Sequence, residues 1–155
     1  GSSVVVGYTM SCIIGYQEGA LPYAKALAEA FQMTNFIRDI QEDYKLRNRV
    51  YMPKEDMDRF GVTIDNLANN NVDTAWQNLI KFEIQRTRQL YEKGLLGIPM
   101  LHARGRRAVY AAALIYKDIL DKIEKQNYDV FSKRITVSAF RKTMLLCKAI
   151  WKKNL

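Results

Sequence analysis

Apolar and polar positions recur every three to four residues along almost the whole chain, and that period predicts helices. Residues 4–17 form a first helix rich in small side chains. Its Gly7, Ser11 and Gly15 stand four apart, a spacing that lets another helix approach closely or leaves room for a lipid chain. Pro22 suits a helix start, and a second helix runs from there to about Tyr44. Its Ala26, Ala30, Met33, Ile37 and Ile40 cover one side, flanked by Leu27 and Phe36. A helix apolar over so much of its circumference belongs inside a larger core. Pro53 opens a short helix that Gly61 ends, and Thr63 and Asp73 are N-cap residues for the next two. The second of these spans Thr74 to Gly94, with Trp76, Leu79, Ile80, Glu83, Ile84, Thr87, Leu90 and Tyr91 in helical register. Gly94 to Pro99 is a connector. Arg106 to Gln126 is helical again, with Val109, Ala112, Ala113, Tyr116, Ile119, Leu120 and Ile123 on one side. After a loop over 127–136, Ser138 caps a last helix whose Phe140, Met144, Cys147 and Trp151 make one stripe. No alternating run exceeds Arg134–Val137. The expected fold class is all-α, with residues 1–155 in one domain and no internal repeat.

The second helix ends in polar residues of one kind. Asn35, Asp39 and Asp43 are each four apart and stack on one face. At roughly 100° per residue, Gln32 joins them within an arc of about 80°. Such a stripe on a surface helix is simply its wet face, but here Arg38 and Glu42, an i,i+4 pair, already supply a wet edge. On a helix otherwise buried, the carboxylates would face an interior, where unpaired charge is very costly. Hard oxygen donors facing a cavity suit Mg²⁺, which takes one or two carboxylates and fills its shell with water and substrate phosphate. The basic and aromatic segment 44–53, with Arg47, Arg49 and Tyr51, follows at once. Carboxylates for metal, then arginines for phosphate, make an arrangement that handles diphosphate.

Composition narrows the alternatives. With 155 residues and 48% apolar content, the chain can bury a core of its own. No apolar run is long enough to span a bilayer, and residues 4–8 lack the basic flank of a signal peptide. Cys12 and Cys147 have neither disulfide nor metal-ligand spacing and are expected to be reduced, buried apolar residues. His102 is the lone histidine, so no His-based triad is open to this chain. Residues 1–103 carry 11 Lys/Arg against 12 Asp/Glu, whereas residues 104–155 carry 13 against 4. The cations ride on amphipathic helices and form no compact motif with interleaved aromatics, so nucleic acid is not the expected partner. An anionic membrane surface, or diphosphate held near helix ends, fits better. The last stripe, from Arg141 to Lys153, can either pack on the core or lie in a lipid interface.

Gln32-x-x-Asn35-x-x-x-Asp39-x-x-x-Asp43, with Arg38 and Arg49-Val-Tyr51-Met-Pro53, resembles the second aspartate-rich motif of the squalene/phytoene synthases. Residues 112–120 around Tyr116, and 127–138 around Arg134, resemble the C-terminal motifs of that family, and Tyr128-Asp-Val-Phe131 its phytoene synthase branch. The resemblance implies a class I isoprenoid synthase-type helical bundle and head-to-head condensation of two prenyl diphosphates through a cyclopropylcarbinyl diphosphate. It implies that Asn35, Asp39 and Asp43 hold Mg²⁺ (or Mn²⁺), that Asp39, Asp43 and Tyr116 are catalytic, and that Gln32, Asn35, Arg38, Arg49, Tyr51 and Arg134 bind substrate. Aromatic faces such as Phe36 or Tyr116 would stabilise cations. The family's first aspartate-rich helix has no counterpart here. Asp118 and Asp121 are expected on the wet side of their helix, and Asp56 and Asp58 on a short surface helix. The chain is therefore expected to be the C-terminal portion of a longer domain, inactive alone. It is also expected to self-associate through apolar walls around Met33, Ile37 and the Gly7 face. Three alternatives stand beside this reading. A squalene or dehydrosqualene synthase would use farnesyl diphosphate, with NADPH for squalene. A scaffold homologue would keep the helices and lose the acidic strip. A head-to-tail prenyltransferase or terpene cyclase would lack the C-terminal motif pair. The expected setting is cytoplasmic and peripheral to a membrane.

Overall fold

A computed structural model describes residues 2–152. Seven α-helices follow one another: α1 (Ser2–Ile14), α2 (Leu21–Arg47), α3 (Lys54–Phe60), α4 (Ile64–Ala68), α5 (Thr74–Leu95), α6 (Ala103–Lys125) and α7 (Ala139–Trp151), with a 3₁₀ turn at Ile98–Met100. Among the described residues there is no strand, and the Arg134–Val137 stretch stays irregular. One isolated bridge joins Tyr16 to Leu101. The helix signals act where the sequence puts them. Asp73 accepts from the Trp76 N–H at 2.8 Å, and Ser138 accepts from Arg141 at 3.3 Å. Thr63 holds the N-cap position of α4, its own N–H donating to Asn66 Oδ1 at 3.0 Å. Gly61 closes α3 in the left-handed region.

The core forms where α2 packs along α5, with α6 across both. Ile37, Leu67, Trp76, Leu79, Ile80, Ile84, Tyr91, Leu120 and Ile123 are all out of contact with solvent. Thr34, polar and mid-helix on α2, is accommodated by donating to the Ala30 carbonyl and bonding the Tyr91 hydroxyl, each at 2.8 Å. α1 lies against α2, where a Cβ on Gly7 would come within 2.7 Å of Ala28 Cβ. Close approach at Gly7 is therefore a packing requirement.

Several expectations fail here. Ile37 is fully buried and forms no exposed wall; the exposed apolar side chains beside Gly7 are Val5, Val6, Met10 and Ile13 of α1. Cys12 and Cys147 are both exposed, because each falls on the outer side of a peripheral helix. Asp118 is buried and paired at 2.8 Å with Arg141 of α7. Asp56 is buried too, held by Arg86 of α5 at 2.8 Å. In each case the covering helix lies elsewhere in the sequence, so the periodicity of the residue's own helix does not announce the burial. Arg38 pairs with its neighbour Asp39, not with Glu42. The α7 stripe does not pack on the core: Phe140 is 76% and Trp151 84% exposed. Lys153, counted with that stripe, lies outside the described residues.

Candidate active site

An apolar cavity of about 580 Å³ opens between α1, α2 and α6. Small residues make it. Gly7 and Ser11 on α1, Ala24 and Ala28 on α2, and Gly105, Ala108 and Ala112 on α6 leave room where larger side chains would fill the gap. Gly7 thus serves both readings of its spacing, touching Ala28 and lining the space. The ring on the wall is Phe31; Phe36 and Tyr116, expected to serve there, do not line it. Phe36 stacks instead on Tyr51, centroids 4.5 Å apart, and Tyr116 packs on Phe31 at 4.7 Å.

The polar end of the cavity is Gln32 and Asn35 of α2. Asn35 Oδ1 is buried with no hydrogen-bond partner, an expensive condition that points to a group it is meant to meet. One and two turns further along the same face come Asp39 and Asp43. Arg38 donates to Asp39 through Nε at 2.8 Å and through a second nitrogen, and Arg134 donates to the same carboxylate at 3.1 Å. Arg134 also reaches Glu42 at 3.6 Å. Burial works against ionisation of Asp39, yet the Arg38 and Arg134 guanidiniums outweigh it and hold the carboxyl below its usual range. Asp43, buried, is paired by Arg47. Tyr116 lies near enough to Arg38 to reinforce the guanidinium's raised pKa, after Asp39. Arg49 stands in the exposed stretch after α2 and donates to the Tyr51 hydroxyl at 3.3 Å.

Gln32, Asn35, Arg38, Asp39, Asp43, Tyr116 and Arg134 thus gather at one end of α2, while Arg49 and Tyr51 stand on its exposed margin. Glu42, Arg47 and Phe31 belong to the same neighbourhood; the sequence marks Glu42 as a wet edge and Arg47 as an arginine for phosphate, and does not mark Phe31. Arg47 had a legible signal, since it is four residues past Asp43 on one face. Phe31 had none beyond its helix. The donors on this face are hard oxygens and fit one side of a Mg²⁺ shell. Among the described residues no three His, Cys, Asp or Glu side chains converge as a complete metal cluster.

An all-helical bundle with such a face at the mouth of an apolar cavity is an isoprenoid synthase-type fold. A dehydrosqualene synthase solved with ligand superposes with a TM-score of 0.77 at 36% identity, over 84% of this chain and 46% of that one. Squalene synthase HpnC of Alicyclobacillus acidocaldarius gives 0.75 at 26% identity, over 80% and 47%. In sequence, a phytoene synthase of Arthrospira platensis is 42% identical over 123 residues, 79% of this chain and 40% of its own. The squalene/phytoene synthase family model matches residues 1–141, and the chain belongs to that family. It spans about two fifths of the Arthrospira enzyme's length.

Proposed function

We propose that this chain is the C-terminal portion of an isoprenoid synthase domain that joins two prenyl diphosphates head to head, in the manner of a phytoene synthase. The observation that carries this reading is Asn35: a buried, unpartnered amide oxygen at the polar end of an apolar cavity, in line with Asp39 and Asp43. Asn35, Asp39 and Asp43 would hold Mg²⁺, with the remaining carboxylates coming from a facing helix beyond this chain. When bound, the metal would offset the charge of the departing diphosphate. Arg38 and Arg134 would pass from Asp39 to the diphosphate oxygens, a fit that planar guanidiniums make well. The Gly- and Ala-lined cavity would take the prenyl chain and keep water from the allylic cation, with the Phe31 ring beside it. The second prenyl chain would trap that cation and give up a proton to form a cyclopropylcarbinyl diphosphate; departure of its diphosphate, rearrangement of the resulting cation and loss of a second proton would give the neutral hydrocarbon.

Formation of squalene or dehydrosqualene from farnesyl diphosphate is the second reading. It is favoured by the dehydrosqualene synthase, which matches at nearly the identity of the phytoene synthase relative. Two measurements test these readings. Mg²⁺ with a non-hydrolysable diphosphate should raise the melting temperature of this chain, since binding to the native state stabilises it by mass action. Asp39→Ala should abolish that rise at unchanged helical content; equal rises in both would return the acidic face to ordinary surface. Product analysis of the longer enzyme with geranylgeranyl or farnesyl diphosphate, with and without NADPH, separates the two products.

A further inference from the structure

The apolar cavity has a polar mouth and a closed floor. A Cβ on Gly7 of α1 would meet Ala28 and the Ala24 carbonyl of α2. Residues 15–20 turn the chain between these helices, so α1 descends as α2 climbs. Tyr116 of α6 packs on Phe31 of α2, and α6 therefore climbs beside α2. Gln32 and Asn35 stand at the upper end, and Ile14, Ala20, Ile98, Leu101 and Gly105 close the lower one. At that floor Ile14 sits directly on Gly105: a Cβ added to the glycine would lie 2.3 Å from Ile14 Cγ2.

On the far side of the same pair lies a second hollow of about 620 Å³, bordered by Ile13, His102, Ala103 and Arg104. Ile14 and Gly105 border both spaces. One half-buried aliphatic side chain is thus the partition between them. Backbone bonds hold it in place. Just beyond Ile14, Gln17 donates to the Met100 carbonyl at 2.8 Å, and the His102 N–H donates to the Gly15 carbonyl at 2.9 Å. The distance from mouth to floor is set by α2. From Asn35 down to Ala20 the chain makes about four helical turns, roughly 22 Å at 1.5 Å per residue. A prenyl chain adds four backbone bonds per five-carbon unit. Bonds of about 1.5 Å in zigzag extend it by roughly 5 Å, close to one turn of helix. Four units therefore reach the floor, three stop a turn short, and a fifth has to displace Ile14.

We propose that Ile14, seated on Gly105, sets the longest prenyl chain this protein accepts at four five-carbon units, a role that rests on the cavity being the seat of a prenyl chain. Each unit down to the floor leaves water for an apolar wall, whereas further carbons must force a contact that is already close-packed. The test is a calorimetric titration of this chain, with Mg²⁺ present. The ligands are non-hydrolysable diphosphates carrying two, three, four or five units, with inorganic pyrophosphate as the chainless reference. Affinity should rise about tenfold with each unit up to four, and the fifth should add nothing. Ile14→Ala should bring back the gain for the fifth unit. Ala108 lies on the cavity wall about one turn above Gly105 and is exposed, so it can take a larger side chain without crowding the core. Ala108→Leu should raise the floor and make three units the longest chain that gains. Ile13→Ala, at a position that borders the outer hollow alone, should leave the series unchanged. Circular dichroism checks that helical content is kept; should Ile14→Ala lose it, Ala108→Leu decides. A length series that these variants leave unmoved would overturn the proposal and keep the cavity as the seat of the chain. Binding no tighter than pyrophosphate at any length would overturn both.

Discussion

Asn35 Oδ1 and Asp118 Oδ2 are the buried side-chain oxygens left without a hydrogen-bond partner among the described residues, and they differ in kind. Asn35 borders the cavity; Asp118 already has its other oxygen on Arg141. A third buried polar group, Glu83, sits in the α3–α5 contact beside Asp56 and Arg86. Burial, opposed by Arg86 and reinforced by Asp56, pushes the Glu83 carboxyl up to about 7. The native state then holds a proton that the unfolded chain releases near 4.5. Stability from this group is full below that value and is lost as pH rises through about 7. The melting temperature should fall between about pH 5 and pH 8, and Glu83→Gln should flatten that fall. Tyr91→Phe removes the hydroxyl that bonds Thr34 and should cost about 1 kcal/mol in urea unfolding. The register of Gln32, Asn35, Asp39 and Asp43 was legible from spacing alone. Asp56 and Asp118 were not, because a single helix cannot announce a partner arginine that arrives from another.

Helix boundaries follow from caps and breakers, and most fall within a few residues of expectation; α6 begins at Ala103, three residues earlier than its pattern suggests. Periodicity says which residues of a helix share a face, but not which way that face points. α7 makes the difference plain: its stripe was correct and its direction was open, because direction depends on what α6 offers at Tyr110, Leu114 and Asp118. Arg141→Ala would leave Asp118 a buried carboxylate without its partner. Global stability should drop by about 1–3 kcal/mol, and hydrogen exchange should rise first in the amides of α7. At the α1–α2 contact, Gly7→Val would drive a side chain into Ala28. Overpacking of this sort costs about 1–3 kcal/mol, and calorimetry should register it, with the cavity narrowed at the same stroke.

In the molecule as a whole, apolar surface is exposed at α1, beside the cavity, as well as at α7. Val5, Val6, Met10 and Ile13 are open to water there. Uncovered, they should drive association, so sedimentation of this chain should show oligomers that Val5→Ser with Ile13→Ser disperses. A monomer at high concentration would count against that. One loop governs how Arg134 meets α2. Asn127 and Tyr128 are both in the left-handed region, at φ 53° and 63°, a conformation costly for a tyrosine. It is held because the Trp76 indole donates to the Tyr128 carbonyl at 3.1 Å while Phe131 packs on the same indole. From that anchor the chain runs to Arg134 and its contact with Asp39. The stretch between Tyr128 and Arg134 is therefore a ruler, fixed at one end by an indole and read at the other by a carboxylate. One residue inserted or deleted there would carry the guanidinium away from α2 with every side chain of the candidate site intact. Trp76, which does not line the cavity, would on replacement by leucine show up in an activity screen as though it belonged to the site.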